Sequence, residues 1–172
     1  MREPNRTADV IVIGAGIAGA SVAYELARMG IRVCIAEMEA HPGYHTTGRS
    51  AATFVGCYGN AVIRAISAAS RPFFEKPPQG FSNHHLLAAR GALYLAGEAQ
   101  LDELDSFVNE PSNQALLKRI DPLAAREMVP VLNPETVAGA AYERGAQDID
   151  VNALLIGYLQ GFRKSGGILE TG

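Results

Sequence analysis

Asp9-Val10-Ile11-Val12-Ile13-Gly14-Ala15-Gly16-Ile17-Ala18-Gly19 is the stretch whose reading decides the fold. The run of β-branched residues from Val10 to Ile13 predicts a strand buried on both faces, as in a parallel sheet. A helix is expected over Ala20–Met29, with Gly30 placed to stop it. A second strand is expected over Ile31–Ala36, ending at Glu37. Gly14 permits the tight turn out of the strand, Gly16 lets a pyrophosphate approach the backbone, and Gly19 lets the helix pack closely on the sheet. The helix N-terminus, with Ala15, Ile17 and Ala18 around it, offers N–H groups and a partial positive charge to phosphates. Glu37, with Met38 beside it, can accept hydrogen bonds from both hydroxyls of an adenosine ribose. The motif alone does not separate FAD from NAD.

The next glycine-containing segment narrows the choice. Gly43-Tyr44-His45-Thr46-Thr47-Gly48-Arg49-Ser50-Ala51-Ala52 crowds hydroxyls, two glycines and an arginine just past the second strand. In an open α/β sheet this is the carboxyl edge, where ligands bind. The short side chains of Ser50, Ala51 and Ala52 leave room for a flat ring against the backbone. Arg49 or nearby N–H groups can meet phosphate oxygens. A nicotinamide enzyme has no need of such a loop here.

Composition bounds the remaining possibilities. The chain has 172 residues, 48% of them hydrophobic, and a net charge of -3. That suits one sizeable globular core and argues against nucleic acid as a partner. No stretch is long and apolar enough to cross a bilayer. The polar start MREPNRTAD gives no reason to expect a secretory signal. Two cysteines are too few for a disulfide scaffold or a zinc site, so no metal is expected and a reducing, cytoplasmic setting is. Cys34 reads as a buried core thiol and Cys57 as a loop residue. His84 and His85 have no metal-ligand spacing, and Tyr94 reads as one face of a strand.

Further elements follow from pattern. Helices are expected over Ala61–Glu75, Glu98–Val108, from Asp121-Pro122 onward, and over Val151–Lys164 behind Asp150. Strands are expected on either side of Arg90-Gly91, over Leu116–Ile120 and Val137–Tyr142, and at Ile168–Glu170 as a third parallel strand. The fold class is therefore α/β: a Rossmann-like nucleotide-binding domain with an α+β insertion. Residues 1–52 form the βαβ unit and cofactor loop, 53–147 the insertion, and 148–172 the return to the first domain. The insertion's strands lack partners to complete their own sheet, so the chain is expected to be incomplete.

The glycine turn, Glu37 and above all Gly43–Ala52 resemble the D-amino acid oxidase/glycine oxidase-like flavoproteins, nearest to bacterial D-arginine dehydrogenase-type enzymes. The likeness continues through Ala69-Ser70-Arg71-Pro72-Phe73-Phe74, Pro77-Pro78-Gln79-Gly80-Phe81, Val129-Pro130-Val131-Leu132 and Asp148-Ile149-Asp150. The resemblance implies non-covalent FAD and two-electron oxidation of a D-amino acid to an imino acid, then hydrolysis to a 2-oxo acid and ammonia. A neutral α-amine would assist departure of the α-hydride to flavin N5, and electrons would pass to a quinone or oxygen. It places Ser50 and Ala51 beside the isoalloxazine, and it puts Thr53 and Tyr58 on the substrate side. His45 is read as a packing or hydrogen-bonding residue, with covalent flavin attachment as the alternative. No catalytic acid or base is assigned. A location at the inner membrane surface is the alternative to a freely cytoplasmic one.

Two positions depart from the arginine-specific pattern. The acidic residue that would recognise a guanidinium falls at Ala92, and a pocket histidine falls at Thr53. A buried guanidinium without a carboxylate is costly, so smaller or apolar side chains are expected. The missing half would supply a second flavin contact and a carboxylate-binding arginine, so this segment alone is expected to hold flavin poorly. Competing readings are a flavoprotein oxidising a C–O bond, such as a 2-hydroxy acid or glycerol 3-phosphate dehydrogenase, and an inactive fragment.

Overall fold

The computed structural model describes residues 7–172. Residues 1–6, part of the polar start read above as carrying no signal, lie outside the described residues. In chain order the strands are β1 (Val10–Ile13), β2 (Val33–Glu37), β3 (Thr53–Phe54), β4 (Leu87–Ala89), β5 (Ala92–Ala96), β6 (Leu117–Ile120), β7 (Gly139–Glu143), β8 (Gln147–Ile149) and β9 (Ile168–Thr171). The helices are α1 (Ile17–Arg28), α2 (Ala61–Glu75), α3 (Leu101–Asn109), α4 (Pro122–Met128) and α5 (Val151–Lys164). They fall into two compact units. One comprises the chain up to Ala52, Pro72–Leu86 and Ile149–Gly172; the other comprises Thr53–Arg71 and Leu87–Asp148.

The first unit is built on a parallel sheet in the order β1-β2-β9. Register sets Val10 against Val33, Val12 against Ile35, and Ile35 against Leu169, so these side chains share one face. α1 and α5 cover that face. Ala20, Ala23 and Ala27 of α1 and Leu155, Leu159 and Phe162 of α5 are buried in one core with Val33 and Ile35. A ring cluster extends it: Phe81 lies edge-on to Tyr24 at 5.9 Å, Phe73 at 5.1 Å and Tyr158 at 5.0 Å between centroids. Such pairs add about 0.5–1.5 kcal/mol each beyond area burial.

The structure corrects the expectation that the first strand is buried on both faces. Ile11 is 67% exposed and Ile13 90% exposed. Helices cover one face of this sheet among the described residues, and alternation along β1 sends these two side chains to the other. The first helix also begins earlier than Ala20, inside the glycine motif, and ends with Met29 as C-cap and Gly30 following.

In the second unit β5-β7-β6 forms an antiparallel sheet, pairing Ala92 with Glu143 and Leu117 with Glu143 from either side. A smaller sheet runs β3-β8-β4. Each of these sheets has three strands. Sequence periodicity missed β3 and β8, which are two and three residues long and pair at a distance in sequence. Cys34 is only partly buried, less than its apolar run suggests, whereas Cys57, in a loop as expected, is buried.

α4 and α5 start as their caps dictate. Asp121 accepts from the N–H of Leu123 at 2.7 Å, with Pro122 in the first turn, and Asp150 accepts from Ala153 at 2.8 Å. Asp150→Ala leaves the first turn of α5 without its side-chain acceptor. It is expected to cost about 1 kcal/mol of stability, read as a lower urea midpoint at unchanged slope.

Candidate functional site

The turn between β1 and α1 is fixed by contact. Gly14 adopts φ +92° and its N–H donates to the Ala36 carbonyl at 2.8 Å, so the chain leaves β1 still tied to β2. A Cβ on Gly19 would lie 2.0 Å from the Gly14 carbonyl oxygen, so only hydrogen fits where α1 crosses the turn. A Cβ on Gly16 would stand 3.0 Å from the Thr47 hydroxyl. Gly16 is the N-cap of α1 and has no side chain to cap its N–H groups. Thr47 Oγ1 accepts from the N–H of Ile17 at 2.9 Å instead, which draws the 43–47 loop across the helix N-terminus.

Glu37 closes the other side. Its Oε2 accepts from the Ala15 N–H at 2.6 Å and its Oε1 from the Glu39 N–H at 2.9 Å. These bonds, Glu39 first and Ala15 next, hold the carboxyl below the usual carboxylate range. Each oxygen keeps a second lone pair for another donor. His45 meets Glu39 through Nε2 at 2.7 Å. Arg49 lies over the Tyr44 ring at 5.3 Å to its centroid.

Together these segments enclose a cavity of about 560 Å³. Of the residues named from sequence, Gly14, Gly16, Ile17, Ala18, Gly19, Glu37, Met38, His45, Thr46 and Thr47 line it, with Ile13, Ala36, Gly43 and Tyr44 besides. Its size is that of a small-molecule pocket, about 300–1,000 Å³. Ala15 is buried behind the turn, and Gly48, Arg49, Ser50, Ala51 and Ala52 are not part of this lining. Ala52 has φ +46°, in the left-handed region that costs a non-glycine residue about 1–2 kcal/mol, and its carbonyl accepts from Ile149 at 2.6 Å. A glycine-lined cradle, a helix N-terminus and a carboxylate with spare lone pairs fit the pyrophosphate and ribose of a flavin adenine dinucleotide.

Ser50 and Ala51 belong to the first unit; Thr53 and Tyr58 belong to the second. Thr53 lines a separate cavity of about 580 Å³ with Val55, Arg90, Gly91, Ala92, Leu93, Met128, Val129 and Tyr142. No acidic side chain lines it. Tyr58 is 72% exposed.

Sequence reading missed a buried polar group in this unit. Glu143 is 1% exposed. Its Oε1 accepts from the Gly56 N–H at 2.7 Å and its Oε2 from the Tyr94 hydroxyl at 2.8 Å. Tyr94 is therefore more than one face of a strand: burial, and then this bond, push its phenol well above its usual value. No local signal marks Glu143, since its partners lie 87 and 49 residues away.

Comparison with known proteins agrees with this geometry. The chain is 26% identical over 169 residues to human mitochondrial dimethylglycine dehydrogenase, covering 95% of the chain and 19% of that protein. Iminodiacetate oxidase from Chelativorans sp. BNC1 superposes with a TM-score of 0.72 at 26% identity, over 94% of this chain and 46% of that one. L-proline dehydrogenase from P. horikoshii superposes at 0.78 with 21% identity, over 96% and 44%. The chain thus spans about a fifth of that curated relative and under half of these solved structures. Residues 9–172 match the family described as FAD dependent oxidoreductase. The α/β fold with its parallel sheet is the fold of that family, FAD is its cofactor, and this chain belongs to it.

Proposed function

We propose that this chain is the FAD-binding part of an amine-oxidising enzyme that acts on amino acids, D-amino acids with neutral side chains first among them. The observation that carries the flavin half of this reading is the single cavity shared by the Gly14–Gly19 turn, Glu37 and the 43–47 loop. The pyrophosphate is held by the α1 N-terminus and the ribose by the spare lone pairs of Glu37. Ser50 and Ala51 face the isoalloxazine, and Arg49 and the surrounding N–H groups serve the second phosphate. The resemblance through Gly43–Ala52 supports these roles.

FAD, when bound, supplies the two-electron acceptor for a hydride leaving the substrate Cα. The protein orients the amine, keeps it neutral and excludes water. The names of the two relatives at 26% identity both denote amines that carry carboxylates, which favours C–N over C–O oxidation. Nothing supports an obligatory acid or base among these residues.

Side-chain preference rests on residue 92. Ala92 stands where an arginine-specific relative carries a carboxylate, which weighs against the D-arginine dehydrogenase-type subgroup. Its cross-strand partner Glu143 does have a carboxylate, but both oxygens accept from this chain's own groups. A cationic side chain would find no spare acid there, and the cavity beside Thr53 is walled by Val55, Leu93, Met128 and Val129. Electrons pass to a quinone or oxygen. No helix among the described residues is long and apolar enough to cross a membrane, and the two free cysteines suit a reducing compartment, cytoplasmic or at the inner membrane surface.

Two measurements test this. The flavin-loaded enzyme, offered an artificial electron acceptor, is expected to release ammonia from neutral D-amino acids and at least roughly tenfold less efficiently from D-arginine, a difference of about 1.4 kcal/mol. Turnover of a 2-hydroxy acid or glycerol 3-phosphate without ammonia overturns it. Glu37→Gln is expected to weaken flavin binding roughly tenfold, the loss of hydrogen bonds to a charged acceptor. It also tests pH dependence. Because the Glu37 carboxyl is held low in the folded state, its contribution to stability is full above the ordinary carboxylate value and fades as pH falls through the lowered one. The variant should lose less stability than the parent as pH falls from neutrality through and below the ordinary carboxylate value, about 4.3.

A further inference from the structure

The second unit holds a carboxylate that the proposed chemistry does not use. Removing Glu143 from water is costly, and among the described residues no ion pair with a cation offsets that cost. Two donors meet it, the Gly56 N–H and the Tyr94 hydroxyl, and the Cys57 thiol lies close to the same carboxylate. Burial first, and Glu143 next, push that thiol up to about 12, so it remains a protonated donor.

The Gly56 donor and Cys57 belong to one loop, residues 55–60, between β3 and α2. The approach is close: a Cβ on Gly56 would stand 3.1 Å from Glu143 Oε1 and 3.1 Å from a Leu116 methyl. The far end of the loop is tied as well. Asn60 Oδ1 accepts from the N–H groups of Val62 and Ile63, each at 3.1 Å, which starts α2. One turn on, the Arg64 guanidinium donates to Ser112 Oγ at 2.8 Å, Asn113 Oδ1 at 2.7 Å and Glu110 Oε1 at 2.7 Å. Between the two anchors sits Tyr58, 72% exposed, with no hydrogen bond or ring contact among the described residues.

We propose that Glu143 is a positioning residue: it holds the 55–60 loop by the Gly56 N–H so that Tyr58 is presented to substrate in a fixed place. A carboxylate spent only on stability is readily replaced by packed apolar groups. What such groups cannot do is accept an N–H from a loop that has no strand partner for it. Tyr94, from β5, donates to the other oxygen and ties the carboxylate to the sheet without touching the loop's own bond. The inference rests on the proposed role of Tyr58 at the substrate and adds the device that places it.

The test is made on the flavin-loaded enzyme with its amino acid substrate. Glu143→Gln is expected to speed hydrogen exchange at the Gly56 and Cys57 amides roughly tenfold while β1 and β2 stay protected. It is expected to raise KM with kcat unchanged. Tyr58→Phe should raise KM on its own and add nothing further in the Glu143→Gln background. Tyr94→Phe, which frees the other oxygen, serves as the structural control: it should lower Tm without altering exchange at Gly56 or KM. Where Glu143→Gln does not fold, Glu143→Asp keeps the charge, draws the oxygens back by one methylene and gives the same readouts. Unchanged exchange at Gly56, or effects of the two substitutions that simply add, overturns the proposal. Faster exchange with no effect of Tyr58→Phe on KM upholds the holding of the loop and removes Tyr58 from the substrate site instead.

Discussion

The carbonyl of Gly14 and the α-carbon of Gly19 lie so close that a single added methyl would sit 2.0 Å from the oxygen. This approach fixes where α1 begins relative to β1. With α1 in that place, its N-terminal N–H groups open on the carboxyl edge of the sheet, and the Ala15 N–H comes within 2.6 Å of Glu37 on the neighbouring strand. Thr47 can then reach Ile17 from the loop that follows. The cavity is a consequence of these contacts in sequence. Its walls combine the glycine backbone and helix N-terminus with Glu37 and larger side chains such as Met38, Tyr44 and His45, which suits a ligand recognised by phosphate and ribose rather than by shape alone.

The two carboxylates described above show how burial decides what a common group does. Glu37 and Glu143 each accept from backbone N–H groups. Glu37 sits partly exposed at a cavity wall, with lone pairs left for a ligand. Glu143 is sealed among Gly56, Cys57 and Tyr94, and it ties loop to sheet. Exchanging their surroundings would exchange their roles. A free carboxylate in the core would be strongly unfavourable, and a saturated one at the cavity would bind nothing.

What could be read from sequence was local. The order strand, glycine turn, helix and strand, the cap of α5 by Asp150, and the parallel return at β9 all follow from residues close along the chain. What could not be read depends on distant partners. The short strands β3 and β8 pair across nearly a hundred residues, and nothing local places the loop residue Cys57 beside the buried Glu143. The open face of β1 was misread for the same reason. Four β-branched residues have the composition of a strand covered on both sides, but composition does not say whether a second layer is present. At the candidate site, the glycines and Glu37 announce themselves by motif. The links Thr47 to Ile17 and Glu39 to His45 depend on the loop's path and carry no signature.

Membership of a flavoprotein family fixes the cofactor and leaves the substrate to a few positions. The pair Ala92 and Glu143 illustrates why. Register places their side chains on one face of the same sheet, so the unit still contains an acid close to where a cationic side chain would need one. Proximity is insufficient, because Glu143 is 1% exposed behind the groups that bond it, so Gly56 or Tyr94 would have to move before a guanidinium could reach it. On the proposed reading, a cationic substrate would therefore meet two costs, its own desolvation and the loosening of the 55–60 loop, whereas a neutral side chain asks for neither.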